Sequence, residues 1–152
     1  MKANQKSVFM GTTAVPARTS RDQIMALLID RGAQNISQEY GLKKAVGLSF
    51  GLVTKFGPMR FDLPLRVDPI FAKLQEERRR QREEHAAHDM ESAERIAWRQ
   101  LLRWVEVQLA MVDLGMAQDA EVFMPYAVQQ GGKTMFQMFT EQRLLGAGAP
   151  AK

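Results

Sequence analysis

The 152-residue chain contains no cysteine, which excludes thiol catalysis, thiolate zinc sites and disulfide staples at once. Histidine is nearly as scarce, with His85 and His88 the only two, and both fall inside one charged run. A histidine-based nucleophile relay therefore has no strand-to-helix elbow to sit on. Aromatic residues make up 8% of the chain. No apolar run approaches the ~20 residues of a membrane span. The first ten residues, MKANQKSVFM, lack the apolar stretch of a secretory signal. These absences together predict a cytoplasmic protein without catalytic residues, metal or cofactor, and not an enzyme.

What is present is ordinary for a folded domain: 45% hydrophobic and 25% charged residues. A length of 152 residues suffices for one core. The expectation is a single domain over 1–146 with a disordered tail over 147–152. Net charge is +4 and unevenly spread. Residues 1–66 hold ten basic and four acidic groups, and the remainder is slightly acidic. A basic N-terminal half points to a polyanionic partner, or to nothing more than a soluble surface.

Local patterns predict the elements. Val8-Phe9-Met10 reads as a short edge strand. Ser20-x-x-Gln23 has the form of a capping box, and Ile24, Leu27 and Leu28 follow at helical spacing to Gly32, so a helix is predicted over 20–31. Strands are predicted over 34–40, 45–53 and 59–65. In the last two, Val46, Leu48, Phe50 and Leu52 alternate with small residues, and Met59, Phe61, Leu63 and Leu65 alternate with Arg60, Asp62 and Pro64. Placing both apolar sets on one face fixes a register: Leu52 opposite Met59, Phe50 opposite Phe61, Leu48 opposite Leu63, Val46 opposite Leu65. The predicted loop is then Val53 to Pro58. The other face, with Gly47, Ser49, Gly51, Arg60, Asp62 and Pro64, has little bulk, and Pro64 marks an edge.

Asp68-Pro69 is a helix start, and a helix is predicted over 69–86 with a break near His88–Ser92. Residues 92–114 carry a broad apolar stripe centred on Ala97, Leu101, Trp104, Val105 and Val112, widened by Trp98, Leu102 and Leu109, and stopped by Gly115. A short helix follows over 118–126, halted near Pro125. Gln129 to Gly132 reads as a turn. Thr134-x-x-Gln137 is a second capping box, opening a last helix through Leu145 with Gly146 behind it. The fold class predicted is α+β: a small antiparallel sheet of three or four strands, packed on helices, with a helical C-terminal half.

Three motifs invite chemistry. His85 and His88 share a helix face with Glu84 beside them, a partial metal-ligand spacing, but the segment has no apolar support to hold further ligands, so a solvated face accounts for it. Gly132-Lys133-Thr134 resembles the end of a phosphate-binding loop. The full pattern needs a glycine where Ala127 stands, and a turn into a helix explains the residues. The third is a constellation of rings and cations: Tyr40, Lys43, Lys44, Lys55, Phe56, Arg60 and Arg66. Cations that neutralise a backbone and rings that stack on bases are how single strands are gripped. They are the candidate nucleic-acid-binding residues.

Three blocks in a fixed order, RTSRDQIMALLIDRGA, AVGLSFGLVTKFGPMRFDLPLR and AERIAWRQLLRWVEVQLAMVDLGMAQDAEVFMPYAV with its GGKT turn, resemble a widespread family of short phage and prophage proteins. The resemblance spans about residues 8–140. It implies a phage origin and an accessory role in viral DNA metabolism or host takeover, and it carries over no functional residue. Two function classes follow. One is a non-enzymatic nucleic-acid-binding accessory protein, acting on single-stranded DNA in replication or recombination. The other is a protein-interaction module that docks a partner, or a second copy, through the charged helix or through Met135, Phe136, Met138 and Phe139.

Overall fold

The structure, a computed structural model, describes residues 7–41, 45–81 and 89–147. The order is α1 (Ala17–Asp30), β1 (Gln34–Tyr40), β2 (Ala45–Thr54), β3 (Gly57–Pro64), α2 (Asp68–Gln81), α3 (Asp89–Asp113), α4 (Asp119–Phe123), a 3₁₀ turn (Met124–Tyr126) and α5 (Met135–Ala147). The strands form one antiparallel sheet in the order β1-β2-β3. The fold is α+β with a helical C-terminal half.

The hairpin register follows from the burial requirement. Leu52 pairs with Met59, Phe50 with Phe61 and Leu48 with Leu63. Past the ladder, the Leu65 N–H donates to the Val46 carbonyl at 2.9 Å. The strands reach further toward the tip than expected: Val53 pairs with Pro58 and Thr54 with Gly57, leaving Lys55 and Phe56 as the turn. Gly57, at φ +99°, supplies the left-handed residue that such a turn needs. The Thr54 hydroxyl accepts from the Phe56 N–H at 3.1 Å and donates to the Gly57 carbonyl at 2.9 Å.

The core joins the sheet to α1 and α3. Phe50, Phe61 and Phe123 meet with ring centres 5.5–5.6 Å apart, and Trp104 reaches Phe123 at 5.9 Å. Burying a side chain of that size is worth roughly 1.5–3 kcal/mol before packing. On α1 the buried row is Ser20, Ile24, Leu28. On α3 it is Ala93, Ile96, Ala97, Trp98, Leu102, Val105 and Leu109. Trp98, Leu102 and Leu109 thus form the centre of the stripe rather than its margin, and Leu101 and Trp104 lie toward its edge. The helix is wedged between α1 and α2. Gly32 and Gly115 each end a helix in the left-handed conformation, at φ +82° and +72°. In both, the next residue's N–H bonds back to the carbonyl five positions earlier: Ala33 to Leu28 at 3.0 Å and Met116 to Met111 at 2.9 Å. Arg31, at the end of α1, bonds to Asp113 and Asp119 and so ties three helices together. Burial disfavours its charge, but the two carboxylates outweigh that cost and hold the guanidinium above its usual range.

Several expectations are corrected. Residues 7–10 form no strand. Met10 takes φ +61°, the Gly11 N–H closes a turn on Val8, and Gln100 of α3 donates to the Phe9 carbonyl at 2.7 Å. The first helix starts at Ala17, one turn before the predicted capping box. Its N-cap is Pro16, and Ser20 lies buried in the helix with no hydrogen-bond partner for its hydroxyl among the described residues. Val46 does not join the core and is 39% exposed, while Ala45 is buried in its place. The cause is an irregular step in the β1–β2 ladder between Glu39 and Tyr40, which breaks the alternation just there. Helix α5 runs through Gly146 instead of stopping at it. The turn Gly41–Lys44 and residues 82–88, where the end of the 69–86 helix was expected, fall largely outside the described residues, and the break expected near His88–Ser92 does not extend over Asp89 to Ser92, which open α3.

Candidate functional site

The ring-and-cation set is distributed along the sheet, not gathered. Lys55 and Phe56 occupy the tip of the β2–β3 hairpin, with Phe56 71% exposed. Tyr40, 66% exposed at the end of β1, and Arg66, two residues past β3, stand at the opposite end, with β2 between the two strands. The ten residues of β2 put about 30 Å between the two ends at ~3.3 Å per residue. Arg60 lies on the small-residue face opposite Gly51, with its Nε 3.8 Å from Asp62. Lys43 and Lys44 lie outside the described residues.

That small-residue face is not a basic platform. Ser49 is fully buried and donates to the Asp62 carboxylate at 2.6 Å. Glu39 sits over Gly47, a carboxylate on this face that the strand pattern did not single out. Gly47 is required by proximity: a Cβ there would stand 2.8 Å from the Leu63 carbonyl oxygen. A groove of about 330 Å³ crosses this end, lined by Glu39, Gly47, Asp62, Arg66, Tyr126 and Phe136 among others. Among the described residues, the carboxylates of Glu39 and Asp62 on this face are matched by two cations, Arg60 and Arg66.

The GGKT segment is structural. Ala127 bridges to Phe61 of β3 and Val128 to Thr134, so residues 127–134 form a small hairpin on the edge of the sheet. Gly131 and Gly132 turn it at φ +91° and +81°. Lys133 is engaged with both carboxylate oxygens of Glu141 at 2.7 and 2.9 Å. The Thr134 box is formed: its N–H donates to the Gln137 side chain at 2.9 Å, and the Gln137 N–H donates to the Thr134 hydroxyl at 3.3 Å. His85 and His88 lie outside the described residues. Among the described residues, no group of three potential ligands is placed to hold a metal, and no helix is long and apolar enough to cross a membrane.

The second candidate surface is α5. Its chief neighbour is the 3₁₀ turn Met124–Tyr126. Phe136, Phe139, Leu144 and Leu145 are all at least half exposed, reaching 78% at Leu145, and Met135 and Met124 are partly so. Arg143 stacks over the Phe139 ring at 5.5 Å. Sequence reasoning picked out the methionines and phenylalanines of this helix but passed over Leu144 and Leu145. Their signal was present: six large apolar residues in 13, spread around the helix instead of along one side. Compared with known families, curated proteins and solved structures, the chain finds no match, and this site stands on its own geometry.

Proposed function

We propose that this protein is a non-enzymatic interaction module that docks a protein partner on α5. The observation that carries the reading is the exposure of Phe136, Phe139, Leu144 and Leu145 on a helix whose chief neighbour among the described residues is the 3₁₀ turn Met124–Tyr126. An isolated helix of 13 residues is marginal in water. Bare apolar patches of this kind mark interaction sites. The setting is the phage accessory role that the block order implies, in the host cytoplasm.

The test is affinity capture under cross-linking, comparing the full chain with a Phe136→Asp, Phe139→Asp double variant. The reading expects specific protein partners, a second copy included, that the wild type retains and the variant loses. Equal capture by both overturns it.

A second reading keeps single-stranded nucleic acid as partner, with a smaller footprint than the sequence implied. What favours it is the Lys55–Phe56 tip, a cation beside a bare ring. Backbone neutralisation and stacking would act there, with Arg60 behind.

A further inference from the structure

We infer that the cleft between the end of β3 and the middle of α3 is a binding site for a small aromatic carboxylate, its ring seated against Leu101 and Trp104 and its anionic end on Arg66. The site is independent of the α5 reading, because none of its lining residues lies on α5.

The cleft forms where the chain leaves the sheet. Pro64 ends β3, and the chain turns at Asp68-Pro69 into α2, so that Leu65 and Ile70 supply one wall. The other wall is a side of α3. Ala97, Leu101 and Trp104 follow one another at spacings of four and three residues and so share a face. They are the margin of the α3 stripe, and Leu101 and Trp104 are only partly buried there. Tyr126 completes the lining, its ring edge-on to Trp104 with centres 5.8 Å apart. The cleft measures about 280 Å³. An apolar cavity of ~150 Å³ takes up one benzene, so there is room for a ring with a short chain and little more.

The polar groups of the lining set the charge of the ligand. Arg66 is the only charged residue among them. It is exposed, and among the described residues it has no hydrogen bond or ion pair. The Trp104 indole N–H and the Tyr126 hydroxyl likewise have no hydrogen-bond partner among the described residues, and neither is sealed from solvent. Gln100 is held in place by its bond to the Phe9 carbonyl at 2.7 Å. A cation and two unanswered donors around an apolar floor suit an anion with an apolar body. The edges and faces of Trp104 and Tyr126 favour a ring over an alkyl chain. Arg66 also lines the groove of Glu39 and Asp62, where Asp62 is held by Ser49 and Arg60. Two carboxylates that near penalise a dianion more than a monoanion, so a carboxylate fits better than a phosphate monoester.

The test is a nitrogen-proton NMR titration of the full chain with 3-phenylpropionate, and with the uncharged 3-phenylpropanamide as its twin. The chain has two tryptophans, Trp98 and Trp104. Trp104→Phe identifies the indole signal of the cleft, and Trp98, fully buried, serves as the internal reference. The Trp104 signal is expected to move saturably with 3-phenylpropionate, with Kd on the order of 1 mM for so small a ligand. The amide should bind about three- to tenfold more weakly, and Arg66→Gln should erase that difference. Arg66 is exposed, so the variant should keep the dispersed spectrum of the wild type. A Trp104 signal that stays still far above that concentration overturns the inference. Equal affinity for acid and amide, or acid binding untouched by Arg66→Gln, overturns it as well. Shifts confined to α5 signals would mean that the probe only coats the apolar helix, which refutes the cleft and leaves the α5 reading standing.

Discussion

Helices α3 and α5 have almost the same share of large apolar residues, eleven of 25 and six of 13, and opposite fates. On α3 they are sorted. Ile96, Trp98, Leu102, Val105 and Leu109 are buried, and Arg95, Arg99, Arg103 and Glu106 lie between them. On α5 they are unsorted, and no single packed side could cover them all. Apolar content therefore does not decide burial. Its phase along the helix does, together with what stands opposite. Where α3 has α1, α2 and the α4 aromatic Phe123, α5 has one turn of 3₁₀ helix.

The largest expected effects test the buried side of this contrast. Phe50→Ala removes a ring that contacts Phe61 and Phe123 and is fully buried. It should cost roughly 3–5 kcal/mol and unfold much of the chain, as read by urea denaturation. Trp98→Ala should cost a similar amount on α3 itself. Phe139→Ala on α5 removes a ring of comparable size. At concentrations where the chain is monomeric, it should change stability by no more than about 0.5 kcal/mol. A Phe139→Ala loss near that of Trp98→Ala would mean that α5 belongs to the core after all.

Backbone constraints give effects of intermediate size. Gly47→Ala places a Cβ 2.8 Å from the Leu63 carbonyl, a backbone atom of the paired strand β3, so a strand must shift. The expected loss is about 1–3 kcal/mol. Gly32→Ala meets no neighbour, and its cost is the left-handed backbone alone, about 1 kcal/mol. If the two losses proved equal in thermal melts, the crowding argument at Gly47 would fail.

Legibility in the sequence followed the same division. The hairpin register was readable because a one-residue slip would bury Arg60, and the helix ends at Gly32 and Gly115 because only glycine takes that conformation cheaply. What misled was local chemistry overridden by packing. Ser20 and Gln23 fit a capping box, yet Ser20 faces the core and the helix begins a turn earlier. Val46 fits the alternation, yet an irregular step next to Tyr40 turns it outward. The candidate nucleic-acid residues were legible as types but not as a place. The hairpin register already put Lys55 in the loop and Arg66 beside the far end of β2, but the residue types alone suggested one surface, and the length of β2 keeps them apart. The bare state of α5 was only half legible: its unsorted apolar residues were visible, but that its chief neighbour among the described residues is one 3₁₀ turn was a tertiary fact.

The smallest expected structural effect belongs to the hairpin tip, and it decides how far the contrast between covered and uncovered surface extends to a second partner. Lys55 is exposed and no acidic group is bonded to it among the described interactions, so Lys55→Glu should move stability by no more than about 0.5 kcal/mol. Phe56→Ala should be equally mild, because the turn is held by Thr54 and Gly57 and not by the ring. Binding is where they could differ from silence. If the tip grips a single strand, Phe56→Ala should cost about 1–3 kcal/mol for one lost stack. Lys55→Glu should flatten the salt dependence by about 0.7 log units per log unit of salt for the lost phosphate contact. Fluorescence anisotropy with a labelled single-stranded oligonucleotide, titrated at two salt concentrations, measures both. Wild-type affinity in both variants would remove nucleic acid from the hairpin and leave α5 as the surface through which this protein acts.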